Sequence, residues 1–190
     1  MNKYLDLTPF YNHIIFQHDD METARLSNSK CQYGVKGIHL LKQNFDGLSV
    51  KGLEYDLPHH EGPIPFDNLI CDGQQIAVEA FVADRICFLG FYELGTVSER
   101  VVVYSEKARE EVSMLFKTFH TDSFQGLDTI GKNVDCIVAS QAMGDDGQKH
   151  NLYYWECPIT LTHPIVRIEL PVNLSMHVMS ILLKSPLPPS

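Results

Sequence analysis

The sequence predicts an all-β protein folded as one antiparallel β-sandwich. Short runs rich in β-branched and aromatic residues recur along most of the chain, and several of them alternate between apolar and polar positions. Clusters of glycine, proline and aspartate separate the runs. Few segments show helical periodicity, and many short strands with few helices are typical of a sandwich.

The predicted strands differ in how deeply they should lie in the fold. The run 85–92 is apolar at both alternating positions, as expected of a central strand that is covered on both faces. The run 100–104 is short and β-branched, and 177–183 is strongly apolar. In chain order the predicted strands are 75–82, 85–92, 100–104, 111–119, 134–139, 152–157, 165–170 and 177–183.

Alternation within two runs predicts which side chains face the core. Successive side chains of a strand point to opposite faces, so apolar residues two apart share the buried face. The predicted inward residues are Ile76, Val78 and Ala80 in the first run, and Val166, Ile168 and Leu170 in the other.

Turns are predicted at GPIP (62–65), CDG (71–73), LG (94–95) and GDDG (144–147). Helical patterns fit two places. Residues 19–27 are predicted as a short helix. Residues 105–115 have helical propensity, but we interpret them as a turn at SEKA (105–108) followed by a strand.

The chain is long enough for one domain with a substantial core. It has 190 residues, of which 44% are hydrophobic. We predict one sandwich domain over residues 1–184, in which residues 1–40 form an N-terminal extension that completes the sandwich. Residues 185–190 carry three prolines and are predicted to be a disordered tail.

Charge and cysteine usage restrict the partners. The net charge of −9 and pI of 5.4 argue against nucleic acid and against an anionic membrane surface. Neither a signal peptide nor an apolar run of the ~20 residues that span a membrane is seen. The five cysteines are scattered, as for reduced thiols, so we predict a cytoplasmic protein.

A set of turn and strand residues resembles a known family. The set comprises FDG (45–47), Tyr55, GPIPF (62–66), NLICDGQQI (68–76), RICFLGF (85–91), ERVVVYS (99–105) and the closing segment 163–185. Together they resemble a jelly-roll module of the galactose-binding-like class, which occurs beside glycoside hydrolases and also on its own. The resemblance covers roughly 40–120 and 150–185. Residues 120–151 have no counterpart, and SEKA replaces an Asp-Gly hairpin.

The resemblance implies a jelly-roll sandwich and raises the expectation of carbohydrate binding. Fold alone does not fix function, so the site has to be argued from its residues. Three groups of side chains are candidates.

The first group lies in the loop 56–67. His59, His60 and Glu61, with Asp56 and Asp67, supply the imidazole and carboxylate groups that bind zinc and related metals. Adjacent histidines in an extended segment point to opposite sides, so a shared ion needs a ligand from elsewhere. The candidates for that ligand are His39, His163 and His177. The alternative is a solvated loop with exposed imidazoles, and the metal remains unassigned.

The second group is aromatic. Tyr153 and Trp155 should share one face of a strand and Tyr154 the other, near Asn151 and Glu156. Aromatic faces stack on sugar rings while polar neighbours bond the hydroxyls. The alternative is that Trp155 and one tyrosine belong to the core.

The third group is Asp145, Asp146 and Gly147, with Asp128 and Asp135. Clustered oxygen atoms would suit a structural calcium, although the spacing is not that of an EF-hand. A plain hairpin turn explains the same residues. No other cofactor is predicted, and the chain carries no nucleophile-elbow or phosphate-loop motif.

We therefore predict a non-catalytic carbohydrate-binding or carbohydrate-pathway accessory protein with a neutral sugar as ligand. One alternative is a small metal-dependent sugar-modifying enzyme that uses the loop histidines. The other is a structural protein that assembles as a homodimer through a sheet face or edge. The predicted ligand-binding residues are Tyr55, His59, His60, Asp67, Asn68, Tyr154 and Trp155.

Overall fold

The computed structural model of the chain describes residues 2–16, 40, 48–55, 66–93, 97–116, 135–144 and 147–186. These residues form β-strands and one short 3-10 helix, Thr8–Phe10. Within this part of the chain no helix is long and apolar enough to cross a membrane. The strands are β1 (Asn2–Tyr4), β2 (Leu48–Val50), β3 (Leu53–Tyr55), β4 (Leu69–Asp72), β5 (Gln75–Phe81), β6 (Arg85–Tyr92), β7 (Val97–Ser105), β8 (Arg109–Phe116), β9 (Asp135–Met143), β10 (Lys149–Pro158), β11 (Ile165–Glu169) and β12 (Val172–Lys184).

The strands form a six-stranded sheet, a four-stranded sheet and a hairpin. The six-stranded sheet has the order β1-β12-β6-β10-β9, and β4 pairs with β12 farther along the edge that β1 occupies. The four-stranded sheet has the order β5-β11-β7-β8, and β2 pairs with β3. Every pairing between these strands is antiparallel. The predicted all-β antiparallel sandwich is confirmed.

The first hydrophobic core lies between the two large sheets. We call it the inter-sheet core. Phe88, Trp155 and Ile181 enter it from the six-stranded sheet, and Val103 and Met114 enter from the four-stranded sheet. All five side chains are fully buried, so this core supplies most of the apolar burial that holds the sheets together.

A second core lies on the opposite face of the six-stranded sheet, and we call it the outer core. Leu89, Phe91 and Leu182 contribute to it from the sheet. A covering layer made of residues 13–16, 40 and 48–55 packs over them and buries Phe16 and Leu53. β6 is consequently buried on both faces, as its uninterrupted apolar sequence predicts.

A register shift in β12 changes which residues face each core. The shift lies between Val178 and Ser180 relative to β6. Before it, Met176 and Val178 point to the inter-sheet core, and after it Ile181 and Leu183 do. An extra residue in one strand of a pair is a β-bulge, and it reverses the alternation beyond that point.

Two of the predicted inward positions are wrong. Ala80 is exposed at the end of β5, where only Ile76 and Val78 are buried. In β11 Ile165 is buried as well as Ile168, and Val166 is only half-buried, because the register shifts between Ile165 and Arg167 against both neighbouring strands. A period-two pattern does not show such a shift.

The SEKA segment forms the predicted turn. The backbone N–H of Ser105 donates to the carbonyl of Ala108 at 2.8 Å, and β8 begins at Arg109. At the predicted turn GDDG the N–H of Gly147 donates to the carbonyl of Gly144 at 3.1 Å, and Asp145 and Asp146 lie outside the described residues. The helix predicted for 19–27 lies outside the described residues.

Candidate functional site

Three of the predicted site residues meet at one end of the outer core. The Tyr55 hydroxyl donates to the backbone carbonyl of Asp67 at 2.6 Å, and Asn68 follows directly. Tyr55 ends β3, and Asn68 precedes β4. The hydrogen bond therefore holds the two ends of the segment 56–65 close together. His59 and His60 belong to that loop and lie outside the described residues.

Asp67 attaches the N-terminal segment to this point. Its side chain is fully buried, and its two carboxylate oxygens accept the backbone N–H groups of Ile15 and Phe16, each at 2.9 Å. An ionised carboxylate that accepts several N–H groups is well stabilised despite its burial. Asp67 thus links the loop end to the covering layer.

Asn68 connects Asp67 to two buried histidines. Its amide nitrogen lies 2.7 Å from Asp67 Oδ1 and 3.1 Å from His13 Nδ1. Its amide oxygen lies 2.9 Å from His177 Nδ1. Nε2 of His177 in turn lies 3.0 Å from a carboxylate oxygen of Glu93, which follows β6. A continuous polar chain therefore runs from Asp67 to Glu93.

The imidazole of His177 is surrounded by rings. Phe91 stacks on it at a centroid distance of 4.4 Å, and His13 meets it edge-on at 4.7 Å. Burial lowers the pKa of His177 to about 3, and the negative charge of Asp67 only partly opposes this shift. Burial and the same carboxylate raise the pKa of Tyr55. Both groups are accordingly uncharged near neutral pH.

A second polar cluster closes the other end of the same sheet face. The Tyr154 hydroxyl donates a short hydrogen bond to Glu156 and also lies 3.2 Å from the thiol of Cys87. The Lys184 ammonium lies 2.9 Å from both the Tyr154 hydroxyl and Glu156. Arg85 donates to the second oxygen of Glu156 at 3.0 Å. Two cations therefore surround one buried carboxylate.

Opposing effects set the ionisation of this cluster. Burial alone would raise the pKa of Glu156, but hydrogen bonds from Tyr154 and Lys184 and the charges of Lys184 and Arg85 lower it overall. Burial raises the pKa of the Cys87 thiol and, together with the adjacent Cys87 and Glu156, that of Tyr154. The thiol and the phenol stay protonated at neutral pH, while Glu156 is ionised.

Tyr154 and Trp155 lie on opposite sides of the six-stranded sheet, as the alternation in β10 predicts. Tyr154 belongs to the outer core, whereas Trp155 and Tyr153 belong to the inter-sheet core, with ring centroids 6.0 Å apart. The side chains of Tyr154 and Trp155 are both 0% exposed. These two rings are not brought together into a platform.

The sequence patterns do not single out several of the polar residues that the structure assembles. The patterns assign no role to His13, Glu93, Arg85 or Lys184, and they place His177 only among the candidate metal ligands. One signal was available. Every second position from 85 to 93 lies on one face of β6 and its continuation. Along this face a charged residue, Arg85 or Glu93, stands at each end of the apolar run. Charged residues at both ends of a buried strand face indicate a polar cluster at each end of that face.

Neither of the polar clusters is arranged as a metal centre. Among the described residues, no group of three or more histidine, cysteine, aspartate or glutamate side chains is arranged to hold a metal ion. The predicted metal ligands His59, His60 and Glu61 lie outside those residues. The metal-dependent alternative therefore depends on the loop 56–65.

Comparison with known proteins does not assign the chain to a family. No protein-family model matches the chain, and no curated protein matches it significantly. Arguments about function consequently rest on the residues and their geometry.

Proposed function

We propose that this protein is a non-catalytic carbohydrate-binding β-sandwich that binds a neutral sugar through the loop 56–65. The observation that supports the proposal is the hydrogen bond of 2.6 Å between the Tyr55 hydroxyl and the Asp67 carbonyl. This bond holds Tyr55 and Asp67, the two buried residues on either side of the segment, close together. Binding residues are often found on loops that a rigid scaffold positions in this way.

The base of the loop is held from several directions. Tyr55 is 5% exposed and packs in the outer core, and Asp67 is fully buried and bonded to the N-terminal segment. Little conformational freedom remains at either end of the loop. A fixed base reduces the entropy that is lost when a ligand binds there.

The loop has the chemistry of a sugar site. Asp56, His59, His60 and Glu61 supply donors and acceptors suited to hydroxyl groups. The net charge of −9 disfavours phosphorylated or other anionic ligands and leaves neutral ones. The resemblance of the turn and strand residues to galactose-binding-like modules favours the same ligand class.

The proposal divides the predicted site residues into two groups. His59 and His60 contact the ligand, whereas Tyr55, Asp67 and Asn68 position the loop. Tyr154 and Trp155 take no part in the site, because their side chains are fully buried at other places in the two cores.

Calorimetric titration of the full chain with a panel of neutral mono- and oligosaccharides tests this proposal. We expect weak, saturable binding of at least one sugar, with a loss of affinity of about tenfold or more when His59 and His60 are both replaced by alanine. His163→Ala is the matched control, since His163 is exposed between β10 and β11. The proposal is wrong if no neutral sugar binds, or if the double variant binds as well as the control.

A further inference from the structure

The polar chain from Asp67 to Glu93 crosses the boundary between three parts of the fold. Asp67 and Asn68 precede β4, His177 lies in β12, and Glu93 follows β6. The first three side chains are 0% exposed, and that of Glu93 is 11% exposed. Such a chain is stable only if every contact pairs a hydrogen-bond donor with an acceptor.

Asp67 determines the orientation of the Asn68 amide. Both carboxylate oxygens accept backbone N–H groups, so Asp67 acts as an acceptor in this chain. The Asn68 group at 2.7 Å from Asp67 Oδ1 must therefore be the NH₂ group. The amide oxygen of Asn68 then faces His177 Nδ1 at 2.9 Å.

This orientation selects the tautomer of His177. An amide oxygen can only accept, so His177 Nδ1 must carry a hydrogen. In a neutral imidazole Nε2 is then a bare acceptor, yet it lies 3.0 Å from a carboxylate oxygen of Glu93. Two lone pairs facing each other in a buried place repel, so a proton is needed between them.

The opposite amide orientation does not remove this requirement. Turning the Asn68 amide would let its NH₂ group donate to His177 Nδ1. Its oxygen would then face Asp67 Oδ1 at the same 2.7 Å. A proton would then be required on Asp67, whose two oxygens already accept backbone N–H groups.

We infer that His177 and Glu93 form a buried proton-binding site. At neutral pH the cluster holds one extra proton, compared with a state in which Asp67 and Glu93 are ionised and His177 is neutral. The site goes beyond the proposed sugar binding and does not depend on it. The proton avoids burying two carboxylate charges in one cluster. It also completes the chain that holds the N-terminal segment against β4 and β12.

The surrounding groups are consistent with a proton near Glu93. Among the described residues, the groups that face the cluster include His13 from the N-terminal segment, Tyr55 from β3, Asp67 and Tyr11. His13 Nδ1 lies 3.1 Å from the amide nitrogen of Asn68 and 3.2 Å from its amide oxygen. His177 Nε2 and the Glu93 carboxylate oxygen, 3.0 Å apart, share the proton.

The shared proton makes the fold sensitive to rising pH. In the unfolded chain at neutral pH, Glu93 is ionised and His177 is mostly neutral, so the folded state binds one more proton than the unfolded state. Stability is therefore lost as pH rises through the value at which the shared proton leaves. At alkaline pH the shared proton no longer contributes to the free energy of unfolding.

Two measurements on the full chain test this inference. Nitrogen-15 NMR of the imidazoles at neutral pH should show a hydrogen on His177 Nδ1, the tautomer that is less common in free histidine. Urea unfolding should show a midpoint that falls from mildly acidic to mildly alkaline pH. In Glu93→Gln the decrease of the urea midpoint that the shared proton causes should be absent, since the glutamine amide donates to His177 Nε2 without an extra proton.

Glu54→Gln is the matched control, because Glu54 is exposed on β3 of the covering layer and loses the same charge. It should unfold with the pH dependence of the wild type. A bare Nδ1 on His177, or an equal pH dependence in the wild type and Glu93→Gln, overturns the inference. If Glu93→Gln does not fold, the ring nitrogens of His177 in the wild type decide the question alone.

Discussion

The backbone carbonyl oxygen of His177 lies 2.0 Å from the position that a Cβ atom would occupy on Gly90. Gly90 pairs with Val178 across β6 and β12, just before the register shift in β12. Only a hydrogen atom fits between the two backbones at this point. The close approach lets β12 place the His177 ring beside Phe91, within reach of Asn68 and Glu93.

Gly90→Ala should therefore destabilise the fold strongly. The new methyl group meets backbone, which cannot rotate away, so we expect a loss of about 3 kcal/mol or more in the free energy of unfolding. Gly147→Ala is the control, because nothing lies within 4 Å of its Cβ position and only its φ of +75° is strained. That control should cost about 1–2 kcal/mol in urea unfolding. Equal losses would contradict the close approach.

Glu156 should contribute to stability at neutral pH and lose that contribution in acid. Its pKa is lowered in the folded state, so the stabilisation is present above the unfolded value and disappears as pH falls through the folded value. Glu156→Gln should cost about 1–3 kcal/mol at neutral pH, because Lys184 and Arg85 lose their buried partner.

Glu111→Gln is the control for this effect. Glu111 forms an exposed ion pair with Arg100, which should contribute about 0–1 kcal/mol. Chemical unfolding at several pH values should show the two variants converging in acid. A Glu156→Gln variant that is as stable as the control at neutral pH would contradict the described cluster.

The single tryptophan reports on the inter-sheet core. Trp155 is the only tryptophan in the sequence, and its side chain is 0% exposed. Its fluorescence should be blue-shifted and poorly quenched by acrylamide, since the ring is shielded from water. Sugar addition should leave the emission unchanged. A quenchable, red-shifted emission in the folded protein would show that Trp155 is exposed.

The hydroxyl of Tyr55 should stabilise the fold as well as position the loop. Tyr55→Phe keeps the ring in the outer core but leaves the Asp67 carbonyl without its donor, so we expect a loss of about 1 kcal/mol in thermal or urea unfolding. Tyr104→Phe is the comparison, since its hydroxyl bonds Glu169 on the half-buried outer face of the four-stranded sheet. That variant should stay within about 0.5 kcal/mol of the wild type. A reversed order would contradict the proposed role of Tyr55.

Local pattern was sufficient to predict the class of fold. Alternating and doubly apolar runs predict strands, and the both-faced burial of β6 follows from its composition. The alternation in β10 also predicts that Tyr154 and Trp155 lie on opposite faces. These features depend only on the order of apolar and polar residues within one strand, and this order can be read directly from the sequence.

The polar clusters could not be predicted in the same way. Asn68 and His177 are 109 positions apart, and their contact depends on the pairing of β4 with β12. The register shift after Val178 also reverses the faces of β12, which no period-two pattern reveals. Long-range pairing and bulges are set by packing of the whole fold, so residues such as Glu93 acquire their partners only in three dimensions.

The central claim is that a neutral sugar binds at the loop 56–65 on the base formed by Tyr55 and Asp67. Titration of the sugars into nitrogen-15-labelled protein, followed by NMR, tests both binding and its place. The account predicts that amide signals from the loop and from Asp67 and Asn68 shift in a saturable way, while the indole signal of Trp155 stays fixed. Absence of shifts with every neutral sugar, or shifts centred on Trp155, would contradict it.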